Sequence, residues 1–288
     1  MNQVDLNKID WFNLSSNPNI DAIELLEHNF DKINWVELSS NTDLKAIALL
    51  EKNIDKINWG NLSLNYNALK LLEQNIDKIY WSYLSYNTHP KAIKLLEQNL
   101  IKINWYMLSR NSSAIKIIEQ NLDKIDWPTL CLNPSALHIL KANVDKIDWN
   151  KLSYNPCAID VLEENFDKID WAYLSLNPSA IHLLENNKDK INWYNLSKNP
   201  NAIHILEKNL DKINWHELSK NPNSIHILKT YPNMIDYSQL SNNQNIFNTY
   251  ILNLSRIRIK IFLEDLMKIM WHPNKLKYCE CECECEET

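Results

Sequence analysis

The chain has 288 residues and a formal net charge of −6, from 30 Lys and Arg against 36 Asp and Glu. This mildly acidic balance lacks the basic surface that nucleic-acid-binding proteins carry, so we expect no nucleic-acid partner. The first residues are polar, and no run of roughly eighteen uncharged apolar residues follows. We therefore predict neither a secretory signal nor a membrane span.

An aromatic residue recurs every 22 to 24 residues, first as Trp11, then as nine further tryptophans up to Trp215, and last as Tyr237. Repeats of this length are typical of stacked supersecondary units that bury their apolar faces on their neighbours. We therefore predict an all-α fold, an α-solenoid of about ten repeats of two short helices each, over residues 1–243. A leucine-rich-repeat horseshoe is the alternative, but it needs an L-x-x-L-x-L-x-x-N pattern that the chain does not supply.

The first half of each copy predicts a short helix that begins at the aromatic residue. Asn or Asp precedes that residue in most copies, as Asn192 precedes Trp193. These side chains are favoured N-caps. Glu37 and Glu217 each stand three residues after such an N-cap. Their positions predict two capping boxes.

The second half of each copy predicts a second helix after an Asn-Pro pair. In one copy the pair is Asn199-Pro200, and Ala202, Ile203 and Leu206 follow at helical spacing. We expect Asn209, just after this helix, to adopt the left-handed conformation that Gly usually takes at a helix end. Three copies carry two extra residues before the second helix, which we expect to lengthen one turn: Ile20-Asp21, Leu44-Lys45 and Pro90-Lys91.

Three columns are nearly constant across the eleven copies. Leu stands three residues after the aromatic residue in every copy, Asn stands six after it in every copy, and Ser stands four after it in all but one, where Cys131 replaces it. We predict that the Trp, Leu and Ile columns form the shared core. We predict that the Asn column caps helices and joins adjacent copies rather than forming a row of ligand-binding side chains.

The period stops after Asn243. Residues 244–278 are predicted to form a helical cap, because the ends of solenoids need one. Residues 279–288 are predicted to be a disordered acidic tail in which four cysteines alternate with glutamates: Cys279, Cys281, Cys283 and Cys285. Four thiolates could bind a soft cation, but alternate residues of an extended chain do not converge on one point. A metal or redox role of these cysteines is therefore the minor alternative, and no cofactor is expected.

The unit W-x-x-L-S-x-N-P-x-A-I-x-x-L-E-x-N-x-D-K-I, which spans residues 5–237, resembles repeats found in giant DNA viruses of the mimivirus-like group. Its Leu-Ser-x-Asn-Pro core is also similar, more weakly, to the leucine-rich-variant repeat. The resemblance implies a viral origin and a helical solenoid, and it implies no activity. With only Cys131 and Cys157 in the first 237 residues and no secretory signal, we expect a cytoplasmic protein, in the host cell if the chain is viral.

No phosphate-binding loop, metalloprotease motif or nucleophile elbow occurs, so we expect no enzyme activity. The predicted function is a monomeric scaffold for a protein partner, and a structural component of a viral assembly is the alternative. Because repeated columns are committed to folding, we expect the partner to contact columns where the copies differ. These columns hold the tyrosines Tyr83, Tyr86, Tyr106, Tyr154, Tyr173 and Tyr194, and a second column holds His138, His182, His204 and His226.

Overall fold

The computed structural model describes residues 9–243 and residue 245. This part of the chain is all-helical, with 21 short α-helices and no strand, which confirms the all-α class that the sequence predicts. None of its helices combines the length and the apolar character that crossing a bilayer requires. The predicted cap and the cysteine-rich tail lie outside the described residues.

The first helix of every copy begins at the aromatic residue. These helices are Trp11–Ser16, Trp35–Ser40, Trp59–Leu64, Trp81–Leu84, Trp105–Ser109, Trp127–Leu130, Trp149–Tyr154, Trp171–Leu176, Trp193–Leu196, Trp215–Lys220 and Tyr237–Leu240. In ten of them the preceding Asn or Asp accepts a hydrogen bond from a backbone amide of the first turn, as predicted for an N-cap. The exception begins after Tyr80, whose side chain makes no such bond.

Ten second helices alternate with the first helices: Ile20–His28, Leu44–Glu51, Leu69–Gln74, Pro90–Glu97, Ile115–Glu119, Leu137–Ala142, Ile159–Glu164, Ile181–Asn186, Ile203–Glu207 and Ile225–Thr230. Nine of the second helices are followed by a short 3₁₀ turn: Phe30–Lys32, Ile54–Lys56, Ile76–Lys78, Leu100–Lys102, Val144–Lys146, Phe166–Lys168, Lys188–Lys190, Leu210–Lys212 and Pro232–Met234. A further 3₁₀ turn, Pro134–Ala136, precedes the second helix Leu137–Ala142. The extra residues of the longer copies join the second helix, so they lengthen a helix rather than a turn.

The chain divides into two compact units, one ending at Lys151 and the other beginning at Leu152. In the first unit, the first helix Trp35–Ser40 packs against both Trp11–Ser16 and Trp59–Leu64, and Trp105–Ser109 packs against Trp127–Leu130. In the second unit, Trp171–Leu176 packs against Trp193–Leu196, and Trp215–Lys220 packs against Tyr237–Leu240. Within each unit, successive copies are therefore neighbours in space.

The buried side chains of each copy come from the predicted Leu and Ile columns. From Leu38 to Leu218, the Leu three residues after each tryptophan is completely buried, and so is the leucine or isoleucine that ends the apolar face of most second helices. The tryptophans are an exception to the prediction, because each is only half-buried. In five copies a lysine ammonium near the end of the same copy lies 4.7–5.4 Å from the ring centroid, as Lys212 does over Trp193. The indole thus closes the core at its edge, with a cation over one face.

The Asn column forms a ladder between copies, as predicted. Asn111 is 1% exposed, and its Nδ2 donates to the carbonyl oxygens of Ser85 and Asn87 in the preceding copy, at 3.0 Å each. Its Oδ1 accepts from the amide of Ser113 at 3.0 Å. In the second unit, Asn177, Asn199, Asn221 and Asn243 make the same pair of bonds to the copy before them.

Two predictions about helix ends are wrong. No non-glycine residue among those described has a positive φ, and Asn209 has a φ of −142°. Its side-chain Nδ2 instead donates to the carbonyl of Ile205 at 2.8 Å, so the asparagine caps the second helix with its amide and needs no left-handed backbone. The capping boxes also fail, because the amide of the N-cap Asn214 donates to the Ser197 hydroxyl of the preceding copy, not to Glu217.

Candidate functional site

The columns in which the copies differ lie in and just after the first helices. They are the two positions after each tryptophan and the position after each serine. All six tyrosines predicted as partner contacts are exposed, from 42% for Tyr83 to 57% for Tyr106. An exposed tyrosine offers an apolar ring and a polar tip, which is why tyrosine is enriched at binding surfaces.

Three of these tyrosines meet in one groove of the first unit. Tyr83, Tyr86 and Tyr106 line it together with Leu64, Met107 and Arg110, and its volume is about 350 Å³. Below, "the aromatic groove" means the groove formed by these six residues. They come from three successive first helices and the residues just after them, so the spacing of adjacent copies sets the width of the groove.

Tyr80 supports one wall of the aromatic groove. Its ring stacks on that of Tyr83, with 6.2 Å between centroids and 17° between planes. Tyr80 occupies the column where the other ten copies have an N-cap Asn or Asp, and it makes no side-chain cap. Loss of a helix N-cap typically lowers stability by about 1 kcal/mol. Helix stability alone would therefore favour Asn or Asp, not Tyr, at position 80.

Gly60 lies close to the ring of Tyr83. It is the one glycine of the chain and is buried in the first helix Trp59–Leu64. Phe12, Val36 and Tyr106 occupy the same column in other copies. The absence of a side chain at Gly60 leaves space for the ring of Tyr83, which also stacks on Tyr80.

Charge is unevenly distributed around the aromatic groove. In the copies that begin at Trp59, Trp81, Trp105 and Trp127, the variable positions of the first helix hold no Asp or Glu, and Arg110 is their one charged residue. The guanidinium of Arg110 is exposed and forms no ion pair with any residue that the structure describes. The groove therefore combines apolar walls with an available cation at its rim.

The tyrosines of the second unit are exposed. Tyr194 takes part in its own fold: its hydroxyl donates to Glu217 Oε1 at 3.0 Å, and the ammonium of Lys198 lies 4.1 Å from its ring centroid. Burial alone would raise the pKa of Glu217, but bonds from Tyr194 and Lys220, with the charge of Lys198, outweigh burial and lower it.

Each histidine of the predicted second column pairs with a glutamate of the preceding copy. The Nε2 atoms of His138, His182 and His204 lie 2.7–2.9 Å from Glu119, Glu163 and Glu185, and His226 contacts Glu207 in the same way. These pairs are exposed, and surface pairs of this kind contribute up to about 1 kcal/mol. No group of three or more potential metal-ligating side chains occurs among the described residues.

Two cysteines lie within the described residues. Cys131 is buried, and burial raises the pKa of its thiol to about 11, so the thiol is neutral at physiological pH. Its Sγ accepts a hydrogen bond from the amide of Asp148 at 3.3 Å, which is the role that serine plays in other copies. Cys157 is exposed. The four candidate metal ligands Cys279, Cys281, Cys283 and Cys285 lie outside the described residues.

The sequence identified three of the six groove residues. Leu64, Met107 and Arg110 were missed, as were the supporting roles of Tyr80 and Gly60. Two signals were present in the sequence. The variable columns hold no Asp or Glu from Gly60 to Leu132, and the one glycine, Gly60, falls in the copy next to Tyr80, which replaces the Asn or Asp before the first helix. A row of tyrosines alone could not show which of them share a groove.

Comparison of the chain with protein-family models, with curated proteins and with solved structures finds no match. The resemblance of its repeat unit to giant-virus repeats, and the weaker one to leucine-rich-variant repeats, therefore stay predictions.

Proposed function

We propose that the chain is a non-enzymatic scaffold, an α-solenoid that binds a protein partner through the outer face of its first helices. The aromatic groove carries this proposal, because exposed aromatic side chains converge there in columns that the fold leaves free to vary. The packing of successive copies within each unit supports the solenoid. The scaffold works as a monomer in the cytoplasm, of the host cell if the chain is viral.

Two residues that support the aromatic groove lower the stability of their own helices, which favours a binding role for the groove. Tyr80 replaces an N-cap, and Gly60 occurs inside a helix, where glycine is less favourable than alanine by about 1 kcal/mol. Both departures from the repeat pattern favour the ring of Tyr83, which stays 42% exposed. Together they hold in place a ring that stays accessible, as contact with a partner requires.

Affinity capture from cells that express the full chain tests the proposal, with bound proteins identified by mass spectrometry. The triple variant Tyr83→Ser/Tyr86→Ser/Tyr106→Ser should keep the helical circular-dichroism spectrum and lose the captured partner. The double variant Tyr154→Ser/Tyr173→Ser removes equally exposed tyrosines of the second unit and should retain it. Undiminished capture by the folded triple variant would show that the aromatic groove is not the binding site.

A further inference from the structure

We infer that the aromatic groove takes an acidic peptide segment in an extended conformation, with an apolar side chain between the tyrosines and a carboxylate on Arg110. This inference rests on the proposed scaffold function and specifies the chemistry of its partner. Three observations carry it: the charge of the rim, the size of the groove, and the spacing between its aromatic and cationic parts.

The charge of the rim selects an acidic partner. The chain holds more acidic than basic residues, yet twelve variable positions from Gly60 to Leu132 contain no carboxylate and one cation, Arg110. Arginine is also rare in this chain, whose other arginines are Arg256 and Arg258. A guanidinium binds a carboxylate through two parallel hydrogen bonds, a geometry that lysine cannot provide. Neighbouring carboxylates would repel an acidic ligand, and the variable positions of these four copies hold none.

The size of the groove selects a peptide segment over a folded surface. Its volume of about 350 Å³ lies near the lower end of the range for ligand sites, roughly 300–1,000 Å³. That space accommodates one or two apolar side chains rather than a flat protein face. Aromatic-lined grooves are a recurring site for extended peptide segments.

The spacing within the groove sets the order of residues in the peptide. Tyr106 and Arg110 stand four residues apart, on and just after one helix, so their Cβ atoms are about 5–6 Å apart. In an extended chain, alternate residues point to the same side and lie about 6.6–6.8 Å apart. The peptide therefore carries an apolar residue and an Asp or Glu separated by one residue.

A random-peptide phage library selected on the full chain tests this inference. Wild-type protein should enrich peptides with Asp or Glu two positions from an aliphatic or aromatic residue. Selection on Arg110→Glu should instead enrich Lys or Arg at that position. Lys116→Glu makes the same charge change at an exposed position of a second helix and should enrich the wild-type peptides. A labelled peptide from the wild-type selection should bind Arg110→Ala about tenfold more weakly.

The same peptides separate failure of this inference from failure of the scaffold function. Peptides that lose binding to the Tyr83/Tyr86/Tyr106 serine variant but bind Arg110→Glu unchanged would overturn the acidic partner and leave the groove as the binding site. Peptides that bind the serine variant and Arg110→Glu as tightly as wild type would overturn both the acidic partner and the groove as the binding site. A selection that enriches no peptide also overturns the inference. So does sedimentation of the wild-type chain as a dimer that Tyr86→Ser/Tyr106→Ser makes monomeric, because the groove would then hold a second copy.

Discussion

Gly60 and Tyr83 are in such close contact that a single methyl group would force them apart. A Cβ atom built on Gly60 would stand 3.0 Å from Cε2 of Tyr83 and 3.2 Å from Oδ1 of the N-cap Asn58. A Cβ of any residue rarely comes this near a neighbour, so a side chain here would displace the ring. The one glycine of the chain thus sets the position of one wall of the aromatic groove.

Gly60→Ala should therefore separate stability from binding. Alanine favours the helix by up to about 1 kcal/mol, whereas the ring of Tyr83 must move by a few tenths of an ångström. We expect urea unfolding to show a free energy within about 1 kcal/mol of wild type, and a clear loss of affinity for the selected peptide. Asn150→Ala changes an exposed residue of the same column and should alter neither. Full affinity in Gly60→Ala would contradict the role of the glycine.

Asn111→Ala should destabilise the fold strongly. The substitution leaves the carbonyls of Ser85 and Asn87 and the amide of Ser113 without the bonds that Asn111 provides. Leaving one buried polar group unsatisfied costs about 1–3 kcal/mol, and we expect a loss of roughly 3 kcal/mol in urea unfolding. Ser112→Ala, at an exposed neighbour, should stay within about 0.5 kcal/mol of wild type. A similar small effect for both variants would show that the ladder does not hold the copies together.

Ser109→Ala and Cys131→Ser should act in opposite directions, although they fall in the same column. The Ser109 hydroxyl donates to the Trp105 carbonyl at 2.7 Å and accepts from the Asp126 amide at 2.9 Å, so its removal should cost about 1–3 kcal/mol. Serine at position 131 would replace a weak sulfur acceptor with a stronger oxygen one, and should raise stability by up to about 1 kcal/mol. Thermal unfolding monitored by circular dichroism compares the two variants with wild type.

Glu217→Gln should make the fold less stable at neutral pH but not in acid. The pKa of Glu217 is lowered below 4.5, so its charged form contributes stability that is present above that pH and is lost as pH falls through the native pKa. Glutamine removes the charge that faces Lys220 and Lys198, which we expect to cost about 1 kcal/mol at pH 7. Urea unfolding as a function of pH should bring the two proteins together below the native pKa. A pH-independent difference would mean that packing, not charge, is responsible.

Much of the local architecture was predictable because the copies repeat each other's helix starts and core positions. Bonds between copies were harder to predict. The sequence predicts that the backbone amide of Asn214 donates a hydrogen bond to Glu217 of its own copy. In the structure the amide donates to the hydroxyl of Ser197 in the preceding copy. Only the near-constancy of serine in that column hinted at such a partner. Asn209 resembled a glycine substitute in sequence, yet its amide reaches the carbonyl of Ile205 without a change of backbone region.

The candidate site was predictable only in part, because adjacency on a surface depends on side-chain direction. Tyr83, Tyr86 and Tyr106 were recognised as exposed and variable, and the structure brings them together. Tyr194 belonged to the same predicted set, but its hydroxyl is engaged by Glu217 and its ring by Lys198. The histidines of the second column likewise pair with glutamates nineteen residues earlier. In the sequence the histidines and the glutamates form two separate columns, and nothing there shows that the two columns are in contact.

The asparagine ladder has a consequence for how a gene of this kind can change. Asn199 bonds to Ser175 and Asn177, and Asn221 bonds to Ser197 and Asn199, so each of these rungs joins immediate neighbours through the same pair of carbonyls. If recombination deleted residues 178–199, Asn221 would follow Asn177 by 22 residues and would take over the bonds that Asn199 makes now. A whole copy can therefore be gained or lost in frame while the buried asparagine amides keep their hydrogen bonds. A single-codon insertion in a first helix would instead move the asparagine of that copy away from the two carbonyls to which it donates.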